Sequence, residues 1–278
     1  MPYFSGEIPA KYGESAKYMD EIKMNFKISA HTDKGIKKDT NQDSVLIKVA
    51  QTEYGKVLLA VVCDGMGGLA KGEVASAAMV RMLSKWFEEE FPELLYQGLS
   101  VETLQKSLEN LVYSANDKIG SYGRALHVDM GTTMVLLLIV DHVYYIGNVG
   151  DSRVYILREG LRQITRDQTF IQREMDEGRM TLEEARTDPR RNMLLQCVGA
   201  SQTIVPDFYT GQTEPGSMFL VCSDGFRHVV SPEELYEYLS PYRLLNEETM
   251  KESLTYLTEL NKYRREVDNI SAVLVRAD

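Results

Sequence analysis

Two apolar runs of strand type each stop abruptly at an aspartate followed by glycine. Val61-Val62-Cys63 leads into Asp64-Gly65-Met66-Gly67-Gly68, and Phe219-Leu220-Val221-Cys222 leads through Ser223 into Asp224-Gly225. A carboxylate at the end of a buried strand is partly desolvated, which is costly unless a cation or hydrogen bonds compensate. Three further motifs repeat the placement. Gly150-Asp151-Ser152-Arg153 sets an Asp in a tight turn between two strands, Asn41-Gln42-Asp43 precedes an early strand, and Asp268-Asn269 precedes the last one. Taken singly, each fits an ordinary turn, hairpin or cap. Several such carboxylates converging would repel one another and have raised pKa values unless a cation neutralised them. Oxygen ligands with no accompanying His or Cys cluster favour Mg2+ or Mn2+ over Zn2+.

The strand-type runs are Phe26–Ala30, Val45–Val49, Val57–Cys63, Thr133–Val140, Val143–Val149, Val154–Leu157, Met218–Cys222 and Ile270–Val275. They are rich in β-branched and aromatic residues and are bounded by turn residues. Helical spacing appears at Met79, Met82, Leu83, Trp86 and Phe87. It recurs at Val101, Leu104, Leu108, Leu111, Val112, Ala115 and Ile119, and at Met250, Leu254 and Leu257. Ser231-Pro232-Glu233-Glu234 and Thr181-Leu182-Glu183-Glu184 carry capping-box signatures and open two shorter helices. Strands in runs with a helical pair between them indicate an α+β layered domain, not an alternating parallel sheet. The division expected is a loosely ordered extension over 1–23 and one domain over 24–278.

Thirty-one basic against 41 acidic residues give a net charge of −10, which argues against a nucleic-acid backbone binder. Three cysteines, none in a CxxC pair, read as buried free thiols of a reducing cytoplasm. The first twenty residues have no apolar core of a signal peptide. The longest apolar run, Met134 to Val140, is far short of the roughly 20 residues of a membrane span. A cytoplasmic chain with no membrane or nucleic-acid partner, monomeric by default, is the expectation.

The order of motifs resembles the metal-dependent, protein phosphatase 2C-like phosphatases. It runs Asn41-Gln42-Asp43, Asp64-Gly65-Met66-Gly67-Gly68, Gly131-Thr132-Thr133, Gly150-Asp151-Ser152-Arg153, Ser223-Asp224-Gly225 and Asp268-Asn269-Ile270-Ser271. The resemblance spans about Phe26 to Arg276, and Met66, the Gly67-Gly68 pair and the segment from Leu161 to Gly199 are similar to the bacterial branch. It implies a four-layer α-β-β-α sandwich with two central, mainly antiparallel sheets. It further implies that Asp64 bridges two metal ions with the Gly65 carbonyl on one of them, and that Asp224 and Asp268 ligate the other. Asp43 acts near the metals, partly through water, and Asp151 with Asp224 holds a third, weaker ion. The metals are Mn2+ or Mg2+. The segment about 165–199 is similar to the family's flap, which influences substrate choice.

The implied reaction is hydrolysis of phosphoserine and phosphothreonine in proteins by an activated water, opposing a bacterial Ser/Thr kinase. A metal pair about 3.5–4 Å apart suits such an in-line displacement. The absence of a C-x5-R loop speaks against a cysteinyl-phosphate route. His31, His127, His142 and His228 lie outside the strand-end motifs and read as structural or surface residues.

Two positions depart from the family pattern. Lys38 stands where an Arg commonly holds the substrate phosphate, offering a point charge without the guanidinium fork. A solvated basic pair, Lys37 and Lys38, is the alternative. Gln42 stands where Glu is usual. A non-enzymatic regulatory module on the same fold, with Lys38 and Gln42 as marks of decay, competes with the active phosphatase. A phosphatase narrowed to one regulatory phosphoprotein, such as an anti-sigma antagonist, is the third reading.

Overall fold

The computed structural model describes residues 24–66 and 71–278. The expected extension over 1–23 and the Gly67-Gly68 turn lie outside the described residues. In chain order the elements are β1 Phe26–Asp33, β2 Asp43–Thr52, β3 Gly55–Asp64, α1 Gly72–Glu89, α2 Phe91–Tyr96 and α3 Val101–Leu126. There follow β4 Met134–Val140, β5 Val143–Val149, β6 Arg153–Leu157, β7 Leu161–Gln163, α4 Phe170–Asp176 and α5 Leu182–Thr187. The chain ends with β8 Asp207–Gln212, β9 Met218–Cys222, α6 Pro232–Leu239, α7 Glu247–Tyr263 and β10 Ile270–Ala277.

The strands form two five-stranded sheets, ordered β1-β10-β9-β6-β7 and β2-β3-β4-β5-β8, with every named pairing antiparallel. Three apolar layers hold them. Leu58, Val62, Val135, Leu137, Ile156, Phe219, Val221 and Val273 interdigitate between the sheets. Val57, Leu59, Val61 and Cys63 project from the other face of β3 onto Met79, Leu83 and Trp86 of α1 and onto α3. Met218, Leu220 and Cys222 face α6 and α7 in the same way. β3 and β9 therefore read as continuous apolar runs because side chains alternate onto two covered faces. The result is the four-layer α-β-β-α arrangement. Phe219, fully buried with its ring edge-on to Tyr144 at 5.4 Å, is a keystone of the middle layer. Its truncation to Ala would cost about 3–5 kcal/mol.

The capped helices form as their sequences demand. Ser231 and Thr181 each accept the N–H three residues on, and Glu234 and Glu184 reach back to them. The three cysteines are buried and free. Four elements had no expectation attached, the edge strands β7 and β8 and the short helices α2 and α4. The first strand also pairs with the last, β1 with β10, a long-range closure that periodicity cannot reveal.

Antiparallel pairing brings strand ends and starts to one edge of the sandwich. Asp64 ends β3 beside Asp43 at the start of β2. Asp224 follows β9, whose last residues lie against the starts of β10 and β6 and so against Asp268 and Asp151. Five acidic positions scattered over 226 residues thus share one rim.

Candidate active site

Each motif proves to be a clamp on a neighbouring aspartate. The Asp64 N–H donates to Thr133 Oγ1 at 2.9 Å, and its carbonyl accepts from the Thr133 N–H and from Thr132 Oγ1. The Gly131-Thr132-Thr133 turn therefore fixes the end of β3. Thr133 Oγ1 also shares a hydrogen bond with Ser152 Oγ at 2.8 Å, which ties this clamp to the Asp151 turn. Gly150 holds φ +107, and a Cβ there would meet the Thr133 side chain at 2.7 Å, so only glycine serves.

On the facing sheet, the Asn269 side chain accepts from the Gln42 N–H and donates to the carbonyls of Lys34 and Thr40. The Asp268-Asn269 motif thereby holds the loop that delivers Asp43. Ser223 Oγ donates to Asp43 Oδ2 at 3.0 Å and accepts from the Ser271 N–H. The Gly65 N–H donates to the Gln42 carbonyl, and a Cβ on Gly65 would strike the Gln42 and Gly72 carbonyls at 2.5 and 2.4 Å. The backbone packs this closely only because no side chain intervenes.

The resulting electrostatics are those of crowded acids. Asp43, Asp151 and Asp224 are buried. Burial, reinforced by the fields of Asp224 and Asp268, raises the Asp43 carboxyl to about 7 despite its serine hydrogen bonds. Burial and the neighbouring Asp224 likewise raise Asp151 to about 7 against the opposing pull of Arg227. Asp64 stands well above the usual carboxylate range through burial and then the charges of Asp43, Asp224, Asp268 and Asp151. Those four lie within electrostatic reach of Asp64 along the shared rim.

Among the described residues, Asp43 Oδ1 and Asp224 Oδ1 are buried without a hydrogen-bond partner. Orphaned carboxylate oxygens among mutually repelling acids suit a hard divalent cation. Among the described residues no three His, Cys, Asp or Glu side chains close tightly enough to hold an ion as they stand. The carboxylates interact at electrostatic range around the rim instead, and the donor set fits Mn2+ or Mg2+ in chemistry and charge. Groups that could hold such ions are the Asp43, Asp64, Asp151, Asp224 and Asp268 carboxylates and the Gly65 carbonyl.

Lys38 reaches the same rim. Its Nζ lies 2.9 Å from Asp268 Oδ1. Burial pulls its pKa down, but the Asp268 hydrogen bond and the fields of Asp268, Asp64 and Asp224 leave it raised overall. Lys37 is exposed, so the two lysines are not one solvated pair.

Four neighbours of the rim, Asp167, Arg227, His228 and Glu266, lie outside the strand-end motifs. Asp167 lies between two guanidiniums, 2.6 Å from Arg153 and 3.5 Å from Arg227. Arg227 Nη2 donates at 2.9 Å to the Asp151 carbonyl, making this triad a support for the Asp151 turn. His228 is no detached surface residue. Its Nε2 is 3.5 Å from Asp224 Oδ2 and its Nδ1 3.5 Å from Glu266 Oε2. Glu266 Oε1 also accepts the Asp268 N–H, so one buried glutamate holds the Asp268 motif directly and reaches Asp224 through His228. Adjacency of Arg227 and His228 to Asp224-Gly225 was the one available signal.

The comparison with known proteins agrees with this geometry. The family pattern described as Protein phosphatase 2C matches residues 31–259. A serine/threonine phosphatase stp of Listeria monocytogenes is 33% identical over 224 residues, covering 79% of this chain and 84% of its own. The Mycobacterium tuberculosis serine/threonine phosphatase PstP/Ppp has a similar structure, with TM-score 0.75 and 31% identity over 90% of this chain and 98% of that one. A PstP catalytic domain in complex with two manganese ions gives TM-score 0.74 and 30% identity, covering 91% and 99% of the two chains. This chain belongs to the protein phosphatase 2C family, the metal-dependent protein-serine/threonine phosphatases.

Proposed function

We propose that the carboxylate rim is the catalytic centre of a bacterial phosphoprotein phosphatase that opposes a Ser/Thr kinase, with Asp64 at its heart. The observation that carries this reading is the meeting of five strand-end aspartates, two of them with orphaned buried oxygens, beside one lysine. Asp64, the Gly65 carbonyl, Asp224 and Asp268 would hold two Mn2+ or Mg2+ ions, with Asp43 acting close by, partly through water. Asp151 with Asp224 would hold a third ion more weakly. When bound, the ions supply Lewis acidity toward water and toward the phosphoryl oxygens.

The chain's own residues do the positioning. Ser223 Oγ holds Asp43 Oδ2 and keeps that carboxylate from rotating. Thr132 and Thr133 fix Asp64 from both sides of its peptide. Lys38 places an ammonium at the edge of the rim and attracts a phosphate monoester as a point charge. The 24–278 region is the catalytic domain, and the 165–199 flap selects substrates. Gln168 exchanges hydrogen bonds with the Gly150 backbone, and Val198 with Thr132, so both ends of the flap are stitched to the clamps that hold the acids. The chain works in the cytoplasm as a monomer on phosphorylated proteins.

The test is hydrolysis of a phosphothreonine peptide with added Mn2+ and with chelator. Turnover that needs the metal and is lost in Asp64→Asn supports the reading. Turnover indifferent to both removes it.

A further inference from the structure

Between the flap and the turn after α7 lies a cleft of about 840 Å3 whose lining includes Asp151 and Asp268. Its acidic residues are all engaged. Asp167 lies between Arg153 and Arg227, Glu266 meets His228 and two backbone N–H groups, Asp268 pairs with Lys38, and Asp151 belongs to the rim. Arg153, Arg227 and His228 are taken up by those contacts, but three other basic residues of the lining are not. Arg186 at the end of α5, Arg191 just beyond it, and Arg265 after α7 line the cleft and are exposed. Among the described residues, ion pairs take up the adjacent Arg190 and Arg264, but none takes up Arg186, Arg191 or Arg265. Five arginines against four acids line the cleft, so the three exposed guanidiniums leave it a slight formal positive balance in a chain of net charge −10.

A second observation singles out Arg265. The Arg265 N–H bonds to the Lys262 carbonyl and the Glu266 N–H to the Asn261 carbonyl, the double closure that ends a helix on a left-handed residue. Glycine is the usual occupant of that position, yet Arg265 holds φ 66. His127 ends α3 in the same conformation at φ 56 outside the cleft lining, so the closure fixes where the Arg265 side chain leaves the helix end and does not by itself mark a function.

We propose that this cleft binds an acidic stretch of the protein substrate flanking the phosphoresidue, with Arg186, Arg191 and Arg265 receiving Asp and Glu side chains. The assignment rests on the phosphatase reading, since it names the class of phosphoprotein that site takes. Guanidinium forks match carboxylates in two parallel hydrogen bonds, which a lysine cleft would not offer. The cleft's continuity with Asp151 and Asp268 puts the acidic stretch next to the phosphoresidue in the same chain.

Fluorescence anisotropy with the full Mn2+-loaded protein tests this with two unphosphorylated peptides, one rich in Asp and Glu and one with Asn and Gln in their place. The phosphothreonine version of each is then assayed for hydrolysis. Exposed ion pairs contribute about a factor of two apiece, so the acidic peptide should bind about eightfold tighter. Arg186→Gln, Arg191→Gln and Arg265→Gly combined should abolish that preference. Arg265→Gly alone should raise the melting temperature, by relieving the left-handed backbone, while weakening the acidic peptide about twofold. Equal binding of the two peptides, a preference surviving the triple substitution, or equally tight capture of an oligothymidylate of the same charge would overturn the proposal. Binding is read without turnover, so preference without hydrolysis contradicts the phosphatase reading alone. Hydrolysis without preference contradicts the cleft alone.

Discussion

Asp43 and Asp64 are direct partners in the antiparallel register of β2 and β3. Opposed residues of a strand pair project to the same side, so the pairing itself forces two carboxylates together. Such a pair is unfavourable in isolation. It is retained where a cation restores the balance.

That conflict sets a pH dependence. Asp43 and Asp151 titrate near 7 in the folded chain, far above an unfolded aspartate. Between about pH 4 and pH 7 the folded state therefore binds more protons than the unfolded state, and stability falls as pH rises through that window. In chelator the melting temperature should drop from pH 5 to pH 8. Added Mn2+ should remove most of the drop, and Asp64→Asn should shrink it. Thermal denaturation across the range reads all three, and a metal-free chain that gains stability toward pH 8 would contradict the account.

Gln42 is explained by its partner. Its Nε2 lies 3.3 Å from Glu73 Oε2 in the first turn of α1. A glutamate at 42 would face Glu73 with like charge where an amide now donates. Gln42→Glu should destabilise the chain by about 1 kcal/mol, and Glu73→Gln in the same background should recover most of it. Denaturant unfolding of the four proteins in this cycle measures the coupling. Recovery in the double variant would make Gln42 a compensated partner of Glu73 and not a mark of decay.

Asp167 supports Asp151 through Arg227. Asp167→Asn leaves two largely buried guanidiniums without their counter-charge, which should cost about 3 kcal/mol. The Arg227 hydrogen bond to the Asp151 carbonyl should loosen with it. Unfolding in urea reads the first effect. A weaker metal dependence of turnover reads the second.

Lys38 separates two roles by substitution. Lys38→Arg should lower KM or raise kcat, because a fork grips a phosphate monoester in two hydrogen bonds. Lys38→Ala should lower kcat/KM about tenfold and free Asp268 from its ion pair. Steady-state kinetics decide it. Unchanged constants in Lys38→Ala would remove the residue from the phosphate site.

The rim was legible in the sequence because burial dictates composition. A strand covered on both faces, such as Val57–Cys63, has to be apolar throughout, so Asp64 stands out where it stops. The helical stripe through Met79, Leu83 and Trp86 is legible for the same reason, and all three are core. β7 and β8 escaped because edge strands carry polar residues such as Arg162, Gln163 and Thr210 that obey no burial pattern. The Arg153-Asp167-Arg227 triad joins residues 14 and 60 positions apart, and no local period encodes such a meeting. The pairing of β1 with β10 is hidden likewise, since register between the two ends of the chain is decided by packing.

Loss of Asp64, the carboxylate proposed to serve both ions, should silence phosphothreonine hydrolysis. Turnover of a phosphothreonine peptide should be followed while Mn2+ is titrated into metal-free wild-type protein and into Asp64→Asn. Activity should rise from near zero to saturation in the wild type and stay at least about a hundredfold lower in Asp64→Asn at every Mn2+ concentration. Equal turnover of the two proteins, or full wild-type turnover in chelator, would contradict that role of Asp64.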